Sequence, residues 1–262
     1  MSELSTLPSL FVLGWGFFST HHASASDANG DERCEPRKPK FELLVARARR
    51  FTSLVTQMHV EVCGQALAAT SSKGDDRPHT IFASHHGELQ IAADLISDLL
   101  SMKSVSSARF ALSVHNAPSG LVSIATRNPL STTTVAAGES SFAAGLLETF
   151  LIAQERGGTV LLSFADEPVP ALFGGPITEV GTGFAVLLTT EPSDGAIGTL
   201  SLSELRSDDA PLPFQGTARL ASLFERGIAE SVHVGSLRPG HAINVAYAKA
   251  SAASAAPRPS AT

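Results

Sequence analysis

Cysteine is scarce in this chain. Cys34 lies in a polar stretch and Cys63 in an apolar helical pattern, so neither a disulfide nor a metal site is expected. No motif calls for a cofactor. Cationic charge is scarce as well: 19 Lys and Arg stand against 25 Asp and Glu, for a net charge of −6 and a pI near 5.8. A field of that sign argues against a nucleic-acid-binding surface. A membrane-length apolar run is missing. Leu7 to Phe18 is apolar but broken by Gly14 and Gly16, and it falls short of the roughly 20 residues that span a bilayer. Ala23-Ser24-Ala25 has the small-x-small look of a signal-peptidase site, yet the only charge ahead of the run is Glu3, whereas a secretory n-region is positive. The run is therefore read as a buried first strand, in a protein expected in the cytoplasm with no membrane span.

What is present is globular. Hydrophobic residues make up 43% and charged residues 17%, with a mean hydropathy of +0.13, and 262 residues suffice for one substantial α/β domain with loose ends. His21 to Lys40 is rich in Ser, Asp, Asn and Pro and reads as a loop. Leu43 to Ala69 repeats apolar residues at three and four, from Leu44 and Ala48 to Ala66 and Leu67, as one helix does. After a turn-rich break at Ser71–Pro78, Thr80–Ser84 reads as a strand and Ile91–Leu100 as a helix. Phe110–Val114 leads into a small-residue helix, Ala117–Ala125.

Ser131–Ala136 is a β-branched strand, followed by a turn at Ala137-Gly138-Glu139 and a helix over Ser141–Gln154. Further strands are expected at Thr159–Phe164 and Thr182–Thr189, with another at Thr199–Leu205. Strands alternating with helices at this spacing predict a mostly parallel, five-stranded sheet with helices on both faces. Ala248–Thr262 is Ala, Ser and Pro with almost nothing to bury, and is expected to be disordered. The chain thus divides into 1–40, first strand plus polar loop; 41–247, the domain; and 248–262, the tail.

Four blocks share an order and spacing. They are Thr80-Ile-Phe-Ala-Ser-His-His-Gly-Glu-Leu89, Ser113-Val-His-Asn-Ala-Pro-Ser-Gly120, Thr134-Val-Ala-Ala-Gly-Glu-Ser-Ser-Phe-Ala-Ala-Gly-Leu-Leu-Glu148 and Val160-Leu-Leu-Ser-Phe-Ala-Asp-Glu167. Over roughly residues 43 to 190 the chain resembles the N-terminal half of β-ketoacyl synthases, condensing enzymes of thiolase fold and acyltransferase class. In that family the third block ends a strand in a turn that carries the nucleophilic cysteine. Here that position is Gly138, or Glu139 if the turn shifts by one. A condensing enzyme needs a thiolate to accept and release its acyl chain, and glycine offers no atom. The recognisable pattern also stops near Thr190, and His233 and His241 lack the Gly-rich strand ends of the family's active-site histidines.

The resemblance therefore implies no catalytic residue, cofactor or metal. It implies a chain-length-factor-like subunit of fatty-acid or polyketide synthesis, similar to shortened ketosynthase-like proteins of aryl-polyene pathways. Its partner would be an active ketosynthase, with an acyl carrier protein as a second candidate. The family pairs the strand before the nucleophile across the subunit interface, which points to Thr132, Thr133, Thr134 and Val135. His115 and Asn116, in the small-residue block, are candidate pocket-lining residues. Alternatives remain: a serine acyltransferase or hydrolase using Ser140 or Ser141, and a carrier-binding scaffold. Gly138-Glu139-Ser140-Ser141-Phe142 does not satisfy G-x-S-x-G, so the two serines are read as helix caps and Glu139 as a first-turn acid. Adjacent His85 and His86 are expected to point to opposite sides, Asp166-Glu167 to open a solvated loop, and Arg47, Arg49 and Arg50 to form a solvated basic face able to meet an acidic carrier protein.

Overall fold

The computed structural model describes residues 7–49, 52–69, 77–175, 179–206, 213–238 and 240–250. Its strands are β1 (Leu10–Ser19), β2 (His79–Ala83), β3 (Thr132–Val135), β4 (Thr159–Asp166), β5 (Thr182–Thr189), β6 (Gly198–Arg206), β7 (Glu230–Arg238) and β8 (His241–Lys249). Its helices are α1 (Ala25–Gly30), α2 (Ala46–Arg49), α3 (Leu54–Ala68), α4 (Leu89–Leu100), α5 (Ser107–Ala111), α6 (Ala117–Thr126), α7 (Ser141–Arg156) and α8 (Pro213–Arg226). One sheet runs β3-β2-β4-β5-β1-β6-β8-β7.

That sheet is larger and more mixed than five parallel strands. Eight strands take part, and only β2–β3 and β2–β4 pair in parallel. Nor does the architecture stop near Thr190, because β6, α8, β7 and β8 extend the sheet beyond β1. Of these late strands, β6 lies where the sequence predicts one, at Thr199–Leu205, while β7 and β8 escape a reading based on apolar runs. In β6, Thr199, Ser201 and Ser203 alternate with Leu200 and Leu202, as half-covered antiparallel strands do. β4 and β5, in contrast, are buried along almost their whole length and read as unbroken apolar runs.

Period-two alternation sends the two halves of each central strand to opposite faces. Val160, Leu162 and Phe164 of β4 join a cluster with Phe142, Leu146 and Phe150 of α7 and Leu220 and Phe224 of α8. Leu161 and Ala165 join the other cluster, with Val55, Met58 and Val62 of α3 and Val122 of α6. The α7 face is built of rings: Phe142 lies 5.5 Å from Phe164 and 5.6 Å from Phe184, and Phe224 lies 5.0 Å from Tyr247. Each fully buried phenylalanine contributes about 1.5–3 kcal/mol of transfer free energy.

β1 shows why its two glycines belong in a strand. A Cβ on Gly14 would collide with the Ala66 carbonyl oxygen, and one on Gly16 would lie 2.5 Å from the Val62 carbonyl oxygen. The backbone of α3 rests directly on β1, and only glycine permits that approach. A register shift between Val12 and Gly14 turns the strand, so that Leu10 and Val12 face α7 and α8 while Phe18 faces α3.

Three boundaries differ from the sequence reading. The expected helix over Leu43–Ala69 is two helices, because Ser53 is the cap of α3, its hydroxyl accepting from Thr56 N at 3.0 Å. The polar segment 21–40 contains α1, capped by Ser24, which accepts from Asp27 N. The tail begins later than Ala248, since Ala248 and Lys249 pair with Thr199 and Gly198 in the ladder between β6 and β8. The rest of the expected tail, 251–262, lies outside the described residues, as does most of the Ser71–Pro78 break.

Candidate functional site

β2, β3 and β4 run parallel, so their C-terminal ends gather loops on one edge, where open α/β sheets place their sites. Three chain exits meet there. β2 leads into Ser84-His85-His86-Gly87-Glu88 ahead of α4, β4 ends at Asp166, and β3 leads through Ala136–Glu139 into α7.

Asp166 fastens the exit of β2. Its Oδ1 accepts from Ser84 Oγ at 2.6 Å, from His85 N at 2.9 Å and from His86 N at 3.2 Å. Burial raises its pKa, opposed by those hydrogen bonds and by His85. Glu167 is buried beside it and accepts from Gln90 N at 3.2 Å. Burial, together with nearby Glu88 and Asp166, pushes the Glu167 carboxyl up to about 7 against the favourable N–H of Gln90 and Val55. Asp166-Glu167 is therefore no solvated loop. The strand carries its polarity inward because turn N–H groups and hydroxyls need acceptors there. Glu88, also buried, is raised by desolvation, opposed by the hydroxyls of Ser53 and Thr56, the latter donating to Oε1 at 2.5 Å.

Histidines crowd the same edge. His85 and His86 stack with ring centroids 3.8 Å apart at 17°. Adjacent residues alternate sides only in an extended strand, and these two lie in a bend, which overturns the expected divergence. Burial lowers both pKa values, and burial lowers His115 too, with Asp166 acting the other way. His115 packs against Gly87, where a Cβ would lie 2.8 Å from its Cδ2. Asn116, exposed, is the N-cap residue of α6 without a side-chain bond. Behind them His59 of α3 is fully buried with Nδ1 2.8 Å from Ser163 Oγ. Burial, aided by His115, drops the His59 pKa to about 3. Among the described residues no three His, Cys, Asp or Glu side chains converge as metal ligands.

The turn after β3 is exposed from Ala136 to Glu139. Gly138 adopts φ 58, in the left-handed region open to glycine. A Cβ built there has His85 Nε2 as its nearest neighbour, at 3.9 Å. Space for a side chain exists; the atom does not. Ser141 is buried and its hydroxyl is spoken for, donating to the Gly138 carbonyl at 2.6 Å and accepting from Ala137 N at 2.9 Å. It ties the turn together rather than capping a free N–H, and Ser140 makes no side-chain cap bond. Cys63 sits within the α3 cluster, its thiol pushed up to about 12 by burial against a Ser163 hydrogen bond. Cys34, like Cys63, is free.

β3 is an edge strand. Thr80 N donates to Ser131 O and Ser84 N to Val135 O. Backbone groups of one residue share a side of the strand, so Ser131, Thr133 and Val135 face β2. Thr132 and Thr134 present their N–H and C=O to the open edge.

Elsewhere, Arg49 is tied back to Leu44 O at 2.7 Å and lies over the Phe41 ring, so it is not part of a freely solvated basic face, and Arg50 lies outside the described residues. His233 lies on β7, and His241 opens β8 with Nδ1 3.3 Å from Glu204. No helix among the described residues is long and apolar enough to cross a membrane. Sequence reasoning misplaced Asp166 and Glu167 in solvent and missed Glu88 and His59. Their one signal was position, at strand ends and on an apolar helix face, where a polar residue must find a partner.

A parallel β3-β2-β4 core with an exposed glycine turn between β3 and α7 is a thiolase-like architecture. The family described as β-ketoacyl synthase, N-terminal domain, matches residues 23–221, and the chain belongs to it. Among solved structures it is similar to a chain in the complex of the ketosynthase ApeO with its chain length factor ApeC from Xenorhabdus doucetiae (TM-score 0.71, 19% identity, 91% of this chain and 99% of that one). It is also similar to a chain of AntDE:AntF, a type II acyl-carrier protein in complex with its ketosynthase (TM-score 0.70, 10% identity, 92% and 99%). A third is the ishigamide ketosynthase/chain length factor (TM-score 0.58, 18% identity, 85% and 74%). At these identities the likeness is one of fold. No curated protein matches the chain in sequence.

Proposed function

We propose that this chain is a chain-length-factor-like subunit that pairs in the cytoplasm with a cysteine-bearing ketosynthase and performs no condensation itself. The observation that carries the reading is Gly138 at the turn between β3 and α7, with space for a side chain and no nucleophile to fill it. Ser141 does not substitute, since its hydroxyl donates to Gly138 O and accepts from Ala137 N. The neighbouring folds include chains from ketosynthase complexes with a chain length factor or a carrier protein, which supports the choice of partner. The chain would supply packing surface and tunnel wall, with His115 and Asn116 at the margin.

Docking would use the open edge of β3. Thr132 and Thr134 offer the outward donors, so an antiparallel strand from the partner can continue the sheet. Two measurements test this. After incubation with acyl-carrier substrates, intact mass should show no acyl adduct; an adduct abolished by Ser140→Ala or Ser141→Ala would overturn the non-catalytic reading. Co-expressed with its ketosynthase, the chain should elute as a stoichiometric complex. Thr134→Pro should abolish that complex while leaving the fold intact, because proline removes an outward N–H on an edge strand and spares the ladder to β2. Full assembly of that variant would show that the docking strand is wrong.

A further inference from the structure

A groove of about 770 Å³ opens between the start of α3, α4 and α5, and the Gly138 turn takes no part in its lining. Its size is that of a small-molecule site. Leu54, Ile91, Leu112 and Pro168 give it apolar walls, and Glu167 lines it as well. Glu167 is only 5% exposed. Among the described residues, the one cation of the lining, Arg109, is already paired, with Nη2 2.8 Å from Asp94 and Nη1 3.3 Å from Asp98. Next to Glu167 lies Glu88, 3% exposed, whose Oε2 has no hydrogen-bond partner. Among the described residues, carboxyl groups therefore outnumber cations around an apolar cleft, and no ion pair joins Glu88 or Glu167 to a cation.

We propose that this groove binds a small organic amine, its apolar body against Leu54, Ile91 and Leu112 and its ammonium at the Glu167 carboxylate. A buried carboxyl facing no cation is held partly protonated, and a cation arriving beside it favours the ionised form. Around Glu167, the carboxyls of Glu88 and Asp166 oppose its ionisation, while the N–H groups of Gln90 and Val55 favour it. Across the groove Asp94 and Arg109 offset each other. The amine thus supplies the charge that the fold omits, and its binding releases the Glu167 proton.

The test uses the full chain with 2-phenylethylamine, and with 2-phenylethanol and phenylacetate as neutral and anionic counterparts, by titration calorimetry. The amine should bind saturably and about tenfold more tightly at pH 8 than at pH 6, as Glu167 passes from about one-tenth to nine-tenths ionised. At pH 6 its heat should depend on the buffer, reporting a released proton. Glu167→Gln should lose the tenfold ratio. Ala108→Trp, a change at an exposed residue of the groove wall, should lose binding with its melting temperature unchanged. The proposal is overturned if the amine does not saturate, if the alcohol or phenylacetate binds as tightly, or if Glu167→Gln keeps the pH ratio. Should that variant not fold, the Ala108→Trp protein and the alcohol still decide.

Discussion

Against α7 and α8 the sheet buries rings, whereas against α3 and the start of α4 it buries groups that titrate. On the first face Phe142, Phe150, Phe164 and Phe184 are fully enclosed and their partners are hydrocarbon. On the second, His59 and Ser163 sit beside Met58 and Val62, and Glu88 and Glu167 close the end of the same layer. The first face gains from transfer and dispersion and is indifferent to pH. The second gives up some of that gain to desolvate polar groups, each of which then needs a partner. The two faces share the strands of one sheet, so the contrast is open to single substitutions.

The largest effect is expected on the ring face. Phe142→Ala empties a site touching Phe164 and Phe184 and should cost about 3–5 kcal/mol. Urea unfolding should show the loss at every pH. A cost below about 1 kcal/mol would mean the rings are not packed as described. A smaller effect, about 1–3 kcal/mol, is expected from Gly16→Val, which forces a side chain against the α3 carbonyl of Val62. That change should loosen the α3 face and raise amide exchange in α3, while α7 keeps its protection. Equal loosening of both helices would show that the two layers do not respond separately.

Legibility in the sequence divides along similar lines. β5 is found where its apolar run ends, at Thr182 and Thr189, and α7 follows from the small-residue turn at Gly138. β5 declares itself because burial on both faces acts along its whole length, and α7 because burial dominates its first turns, Ser141–Phe150. Beyond Thr190, β6 is legible at Thr199–Leu205, whereas β7 mixes Ser, His and Gly into a half-exposed run and β8 interrupts its apolar run with Asn244. The turn at Gly138 was legible from its small residues. The polar edge was not, because Asp166, His59 and Glu167 look like any scattered polar residue until the sheet brings β2 beside β4. Even the proposed docking strand needed the structure: the run Thr132–Val135 was visible, but which residues face outward depends on the pairing of Ser131 and Val135 with β2.

The smallest net effect comes from pH, because two shifts on the titrating face oppose each other. His59 folds with its pKa lowered from 6.5 to about 3. Below 6.5 the unfolded chain binds a proton that the folded chain refuses, so stability falls as pH drops, by about 2 kcal/mol between pH 7 and 5. Glu167 folds with its pKa raised from 4.5 to about 7. Here the folded chain holds the proton first, so its contribution is present at low pH and is lost as pH rises through 7. Over the same interval, acidification returns about 2 kcal/mol. His85, His86 and His115 add to the first arm, and Asp166 and Glu88 to the second. Wild-type stability should accordingly be nearly flat from pH 7 to 5. Glu167→Gln removes one arm and should make stability fall by about 2 kcal/mol on acidification. His59→Gln, which keeps a polar side chain near Ser163, should make it rise by a similar amount. Urea unfolding at pH 7, 6 and 5 separates the three proteins by the sign of the slope. If both variants stay parallel to wild type while Phe142→Ala lowers all three pH points alike, the titrating face is no different in kind from the ring face.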